Sequence, residues 1–244
     1  MITYVYDDSF EGLMTCIYEA YYRREEPEAI VSKDDLQEDL FSITVPIPTD
    51  IDKAKRVMTS IESKISPSVL RQIFYVFLSA RPDKGILIYK YLKMGWAMGG
   101  NISGHLSENT VRTIHRIWQQ VGAERHRMLG LLRFSLLPNN IYYGPMEPDN
   151  NILSLIAPHF VRRLGNQNWI IHDLKRGLAA LYNQREWIIT TMEKNEAILQ
   201  EKDNFYQELW KEYFKSTAIQ GRKNPKLQKQ FMPTRYWKYL IEKH

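Results

Sequence analysis

Six histidines, His105, His115, His126, His159, His172 and His244, are the first candidates for proton or metal chemistry. None forms a His-x-Glu pair or the His-x-x-x-His spacing that puts two imidazoles on one helix face, so the protease and deaminase zinc patterns are absent. His159 is followed closely by Arg162 and Arg163, and His172 by Asp173 and Arg176. Brought together, His159, His172, Asp173 and Arg176 could bind phosphate or move a proton, since imidazole titrates near neutral pH. A hydrogen-bonded structural pair at a sheet edge explains His172 and Asp173 without any chemistry.

Arg112 and Arg116 lie four apart, on one helix face, and Arg125-His126-Arg127 follows. Together they could contact phosphates, although cations at a helix C-terminus also suit the helix dipole. Glu147-Pro148-Asp149-Asn150-Asn151 offers two carboxylates and two amides. Paired acids can hold a divalent cation for phosphodiester chemistry, but helix capping accounts for them more simply, and no third acid follows at a telling spacing. The C-terminal stretch interleaves Arg222, Lys223, Lys226, Lys229, Arg235 and Lys238 with Tyr236, Trp237 and Tyr239. Cations and aromatic rings together suit a charged backbone and stacked bases. The competing explanation packs the aromatic side of a terminal helix on the core, since Tyr236 and Leu240 are one turn apart.

Other chemistries lack their residues. Gly99-Gly100-Asn101-Ile102-Ser103-Gly104 has no Gly-Lys-Ser/Thr after it, and there is no Gly-x-Ser-x-Gly elbow. The one cysteine, Cys16, excludes a disulfide framework and a cysteine zinc site, and its place in an apolar helix face reads as packing. No cofactor is expected from these residues.

The elements that must position these groups follow from hydrophobic period and punctuation. Tyr4–Tyr6 reads as a strand, and Phe10, Leu13, Met14, Ile17 and Tyr21 give a helix with an apolar face. Ser32 is expected to cap a short acidic helix over residues 33–40, and residues 41–47 read as a strand. Three helical stripes start near Asp50, Ser66-Pro67 and Lys84, with a glycine-rich flexible link before a fourth helix that opens at Ser107 and buries Trp118. Past Gly130 the runs 131–136, 141–145, 169–173, 177–182 and 187–192 read as an antiparallel meander with an inserted helix over 152–164, and Lys175-Arg176-Gly177 and Asn183-Gln184-Arg185 read as tight turns between the last three runs. A helix over 203–217, an irregular loop over 221–232 and a short basic helix at 235–240 complete the chain. The expected class is α+β: a helical bundle packed beside an antiparallel β-meander, with a basic C-terminal helix. It reads as one domain over 1–244, with subregions 1–129 and 130–244.

Charge is segregated along the 244 residues. The net charge is +5, yet residues 1–50 carry 3 Lys/Arg against 12 Asp/Glu, and the other 30 Lys/Arg face only 16 acids. No basic-plus-apolar leader and no run long enough to span a bilayer is visible, so the expected location is the cytoplasm and no membrane partner is expected.

Several strings together resemble a bacterial family of proteins of DNA metabolism and DNA repair, built on a domain of unknown function. They include Tyr4-Val5-Tyr6-Asp7, Ser9-Phe10-Glu11-Gly12-Leu13, Gly130-Leu131-Leu132-Arg133-Phe134, Trp169-Ile170-Ile171-His172-Asp173 and Met232-Pro233-x-Arg235-Tyr236-Trp237-Lys238. The resemblance implies work on DNA beside a radical S-adenosylmethionine protein, or fused to a uracil-DNA-glycosylase-like domain. It carries over no catalytic residue. Asn150 stands where the family's Glu-Pro-Asp-His string has a histidine. With a lone cysteine there is no cluster-ligating set, so radical chemistry would belong to the partner. The reading is a DNA-binding accessory protein. An enzyme acting on damaged DNA through a His/Asp/Arg pocket, and a protein-interaction module that uses its acidic head, are the alternatives.

Overall fold

The computed structural model describes residues 2–37, 43–137, 140–194 and 224–240. The chain divides into two compact units, Met1–Gly122 and Ala123–His244, with the boundary inside one long helix. The class is α+β.

In the first unit, β1 (Ile2–Tyr6) is the middle of a parallel sheet of order β2-β1-β3, with β2 at Ala29–Ser32 and β3 at Ile43–Pro46. Tyr4, Val5 and Tyr6 are all buried, as suits a central parallel strand covered on both faces. The strands expected at Tyr4–Tyr6 and over 41–47 are present as β1 and β3, and β2 joins them as a third strand that was not expected. The structure corrects the acidic helix expected after Ser32. The Ser32 hydroxyl closes a tight turn instead, accepting from the Asp35 amide at 3.2 Å and donating to its carboxylate at 3.0 Å. Lys33 N–H is taken by the Tyr6 carbonyl, so the chain leaves the strand without starting a helix over 33–37.

Helix α1 (Phe10–Arg23) starts where the Ser9 hydroxyl accepts from Gly12 N–H at 2.9 Å, and it buries Leu13, Met14 and Ile17. Helix α2 (Ile51–Lys64) is capped by Asp50, and α3 (Pro67–Phe77) by Ser66 with Pro67 in its first turn. Helix α4 (Lys84–Met98) crosses β2 so closely that a Cβ on Gly85 would lie 2.2 Å from the Ile30 carbonyl oxygen. A 3-10 helix, Gly99–Gly104, replaces the expected flexible link, and α5 (Asn109–Leu131) follows. Two aromatic residues expected inside face out: Tyr21 is 61% exposed and Trp118 38%.

The second unit holds a five-stranded sheet of order β4-β5-β6-β7-β8: Ser135–Leu137, Ile141–Met146, Asn168–Asp173, Leu178–Tyr182 and Trp187–Thr191. Most neighbours are antiparallel, with Gly177 and Gln184 at positive φ in the two expected turns. The β5–β6 pair is parallel, however, which corrects the meander. The inserted α6 (Leu153–Arg163) returns the chain to the starting end of the sheet, as a parallel crossover requires.

Near the C-terminus, the expected loop contains α7 (Pro225–Phe231), whose cap is Asn224 accepting from Leu227 N–H at 3.0 Å. Thr234–Tyr239 is a 3-10 helix. The helix expected over 203–217 lies outside the described residues. Among the described residues no helix is long and apolar enough to cross a membrane.

Candidate nucleic-acid interface

The His/Asp/Arg group expected from the sequence does not assemble. Register pairs Tyr143 with Ile170 and Pro145 with His172, so Tyr143 and His172 share a sheet face. The next residue, Asp173, points to the other face. That other face also carries Gly144, close against Phe134, which meets Phe160 of α6 edge to face at 5.3 Å. His159 of α6 and His172 are therefore on opposite sides of the sheet.

His172 is fully buried and both ring nitrogens are used. A carbonyl only accepts, so Nε2–H donates to Met192 O at 3.0 Å. The neutral Nδ1 then accepts from the Tyr143 hydroxyl at 2.8 Å. Burial holds the ring below its ordinary 6.5, against the opposing pull of Met192 O and Asp173. Burial also lifts the Tyr143 phenol to about 12. This is a locked, neutral histidine.

Asp173 and Arg176 are engaged with each other and with the 147–150 loop. Arg176 Nη1 donates to Asp173 Oδ2 at 2.8 Å and to Pro148 O at 3.1 Å, while Nη2 reaches Asp149 O. The same loop is gripped by Glu124 of α5, which is 1% exposed. Its carboxylate accepts from Asp149 N–H at 2.7 Å, Asn150 N–H at 2.9 Å, Asn150 Nδ2 at 2.6 Å and the Tyr236 hydroxyl at 2.5 Å. Burial pushes this acid up, but the four donors prevail and hold it below its ordinary value. The loop was expected to cap α6. It does not: Ile152 is the cap residue, without a side-chain bond, and the loop's polar groups turn to Glu124, Arg176 and the tail.

Two of the four described tail cations that the sequence singled out are committed to the same loop. Arg235 pairs with Asp149 at 2.7 Å, and Lys238 pairs with Glu147, whose other oxygen accepts from the Tyr239 hydroxyl at 2.6 Å. Tyr236 is 3% exposed, so its ring is no platform for a base. Trp237 is half-buried and its indole N–H donates to Met232 O at 2.8 Å. Lys226 and Lys229 are different: both are exposed on α7 and have no hydrogen bond or ion pair among the described residues. Arg222 and Lys223 lie outside the described residues.

Among the described residues, one group of cations without acid partners lies on the C-terminal halves of α5 and α6. His159 has its pKa lowered first by burial and then by the positive charges of Arg163, Arg162 and Arg125. His159 Nε2 is buried without a partner. Arg162 and Arg163 are exposed and pair with no acid among the described residues. Arg125 uses only Nε, donating to Leu155 O at 3.2 Å. Arg127 stands half-buried beside the exposed His126, its Nε buried without a partner. In the first unit, Arg116 is exposed and Arg112 is exposed with one bond to Asn109 Oδ1 at 3.2 Å. Sequence reasoning placed His159 in a catalytic set; its actual companions are Arg125, Arg162 and Arg163. The arginine spacing was the signal for that cluster. Among the described residues no group of three or more His, Cys, Asp or Glu is placed to hold a metal.

A solved structure described as the DHH domain of a member of a family of ribosomal proteins aligns at 10% identity and a TM-score of 0.29, covering 87% of this chain and 78% of that one. No curated protein matches the chain. Residues 82–242, which include the Glu124 hub, the arginine cluster and the tail, match the model of a domain of unknown function, DUF4130, and the chain belongs to that family.

Proposed function

We propose that this protein is a DNA-binding accessory protein of DNA repair or DNA metabolism, working beside a radical S-adenosylmethionine or uracil-DNA-glycosylase-like partner. The observation that supports the DNA reading is the cluster Arg125, His159, Arg162 and Arg163, in which no positive charge meets a carboxylate among the described residues. Like charges held together cost free energy that a polyanion relieves, and arginine forks match phosphate oxygens. The partners rest on the sequence resemblance alone.

Fluorescence anisotropy with duplex and single-stranded DNA at two salt concentrations tests the reading. Binding should weaken steeply with salt. Charge reversal of Arg162 and Arg163 to Glu should abolish it while the fold, read by circular dichroism, is kept. Unchanged binding by that variant would remove the cluster from the interface, and no binding at low salt would overturn the proposal. Co-purification with the radical enzyme tests the partner separately.

A further inference from the structure

We infer that the first unit carries its own site for one unstacked nucleobase of a single-stranded nucleic acid, in the cleft between α1 and α2. This rests on the nucleic-acid reading above but uses different residues.

Helix α1 ends with aromatic rings turned outward. Tyr21 and Tyr22 are 61% and 66% exposed. Tyr22 stacks on Tyr18 with centroids 4.2 Å apart and planes at 22°, and Trp96 of α4 meets Tyr21 edge to face at 5.8 Å. These rings wall a cleft of about 210 Å³. An apolar cavity of ~150 Å³ accepts benzene, so this one has room for a single planar heterocycle.

The opposite wall is polar. Arg56, Ser60 and Lys64 follow at every fourth position of α2 and line the cleft. The outer two are ~12 Å apart along the axis at 1.5 Å per residue. None of the three makes a hydrogen bond or ion pair among the described residues. Glu19 of α1 is already held by Arg23 and Lys53 at 2.7 Å each. The indole N–H of Trp96 is buried and also lacks a partner.

A cleft lined on one side by aromatic rings and on the other by two unpaired cations is complementary to a base with its flanking phosphates. Stacking supplies contact for any base, and the cations supply the backbone attraction. A proline-rich peptide would use the rings but leave Arg56 and Lys64 unanswered.

The test titrates the full chain with an oligothymidylate of about eight nucleotides, within the usual single-strand site size, and follows tryptophan fluorescence. Tyr21→Ala/Tyr22→Ala and Arg56→Ala/Lys64→Ala should each weaken binding about tenfold, a typical stacking or phosphate loss. Both variants should keep wild-type duplex binding and circular dichroism. An abasic oligomer should bind the wild type as weakly as the thymidylate binds the tyrosine variant. Folded tyrosine variants with unchanged thymidylate affinity overturn the inference. So does ring-dependent binding of a proline-rich peptide in place of the oligomer, or a dimer by light scattering that the tyrosine changes dissociate. If Arg162→Glu/Arg163→Glu removes duplex binding while the tyrosine variants change nothing, the cluster stands and the cleft fails. If duplex binding is absent but thymidylate binds through the tyrosines, the cleft stands and the cluster fails.

Discussion

Glu124 and Tyr236 are 112 positions apart in the chain, yet the Tyr236 hydroxyl donates to the buried Glu124 carboxylate at 2.5 Å. The pair joins α5 to the C-terminal 3-10 helix, and the 147–150 loop is held between them. A buried carboxylate persists only if its oxygens are saturated, and here four donors saturate it. The resulting hub is structural, and it explains why the tail's aromatic residues are inside.

Removing the hydroxyl with Tyr236→Phe should cost about 1.5–3 kcal/mol, the range for a hydrogen bond to a charged group. Glu124→Gln should cost roughly 3 kcal/mol or more, because an amide N–H₂ would face the Asn150 or Asp149 donors. Urea denaturation reads both. A Tyr236→Phe midpoint equal to the wild type would show that the hub contributes nothing.

Acid should destabilise the protein in two stages. The His172 pKa is depressed in the folded state, so its stabilising contribution is complete above the unfolded value of 6.5 and is lost as pH falls towards the lower folded value. The Glu124 pKa is depressed as well, so its contribution is present above 4.5 and is lost below that. Thermal melts between neutral and acidic pH should give a falling midpoint, and His172→Gln should flatten the upper stage whatever its own stability. An unflattened slope would assign that stage to another group.

Tail lysines should divide by function. Lys226→Ala/Lys229→Ala should leave stability unchanged and lower the slope of log affinity against log salt on duplex DNA by about 2, near 0.9 per phosphate contact. Lys238→Ala, which loses its Glu147 partner, should change the unfolding midpoint more than the salt slope. An unaltered slope in the double variant would place α7 outside the interface.

Gly85→Ala should destabilise the first unit by about 1–3 kcal/mol, the usual cost of overpacking. The added carbon would meet the Ile30 backbone carbonyl, which cannot rotate away as a side chain can. Native-like melting of the variant would mean that α4 can lift from β2 at no cost.

Local signals in the sequence determined most of the elements. Ser9, Asp50 and Ser66 each cap the helix they precede, and the turns at Gly177 and Gln184 lie where the sequence puts them, because capping and turn chemistry act over a few residues. The α+β class, the burial of Cys16 and the inward packing of Tyr236 and Leu240 were legible for the same reason. Tertiary structure alone decided the rest. Strand direction at β5–β6 and β1–β2 depends on which edge a returning chain meets, and hydrophobic period carries no such information. The fate of each polar group depends on partners distant in sequence. Asn150 and Asp149 turn to Glu124 instead of capping α6, His172 turns to Tyr143, and His159 is left with arginines on the far side of the sheet. Pairing across such distances is fixed only when the chain closes, so the residues that carry charge for a partner could be told from those that hold the fold only after folding.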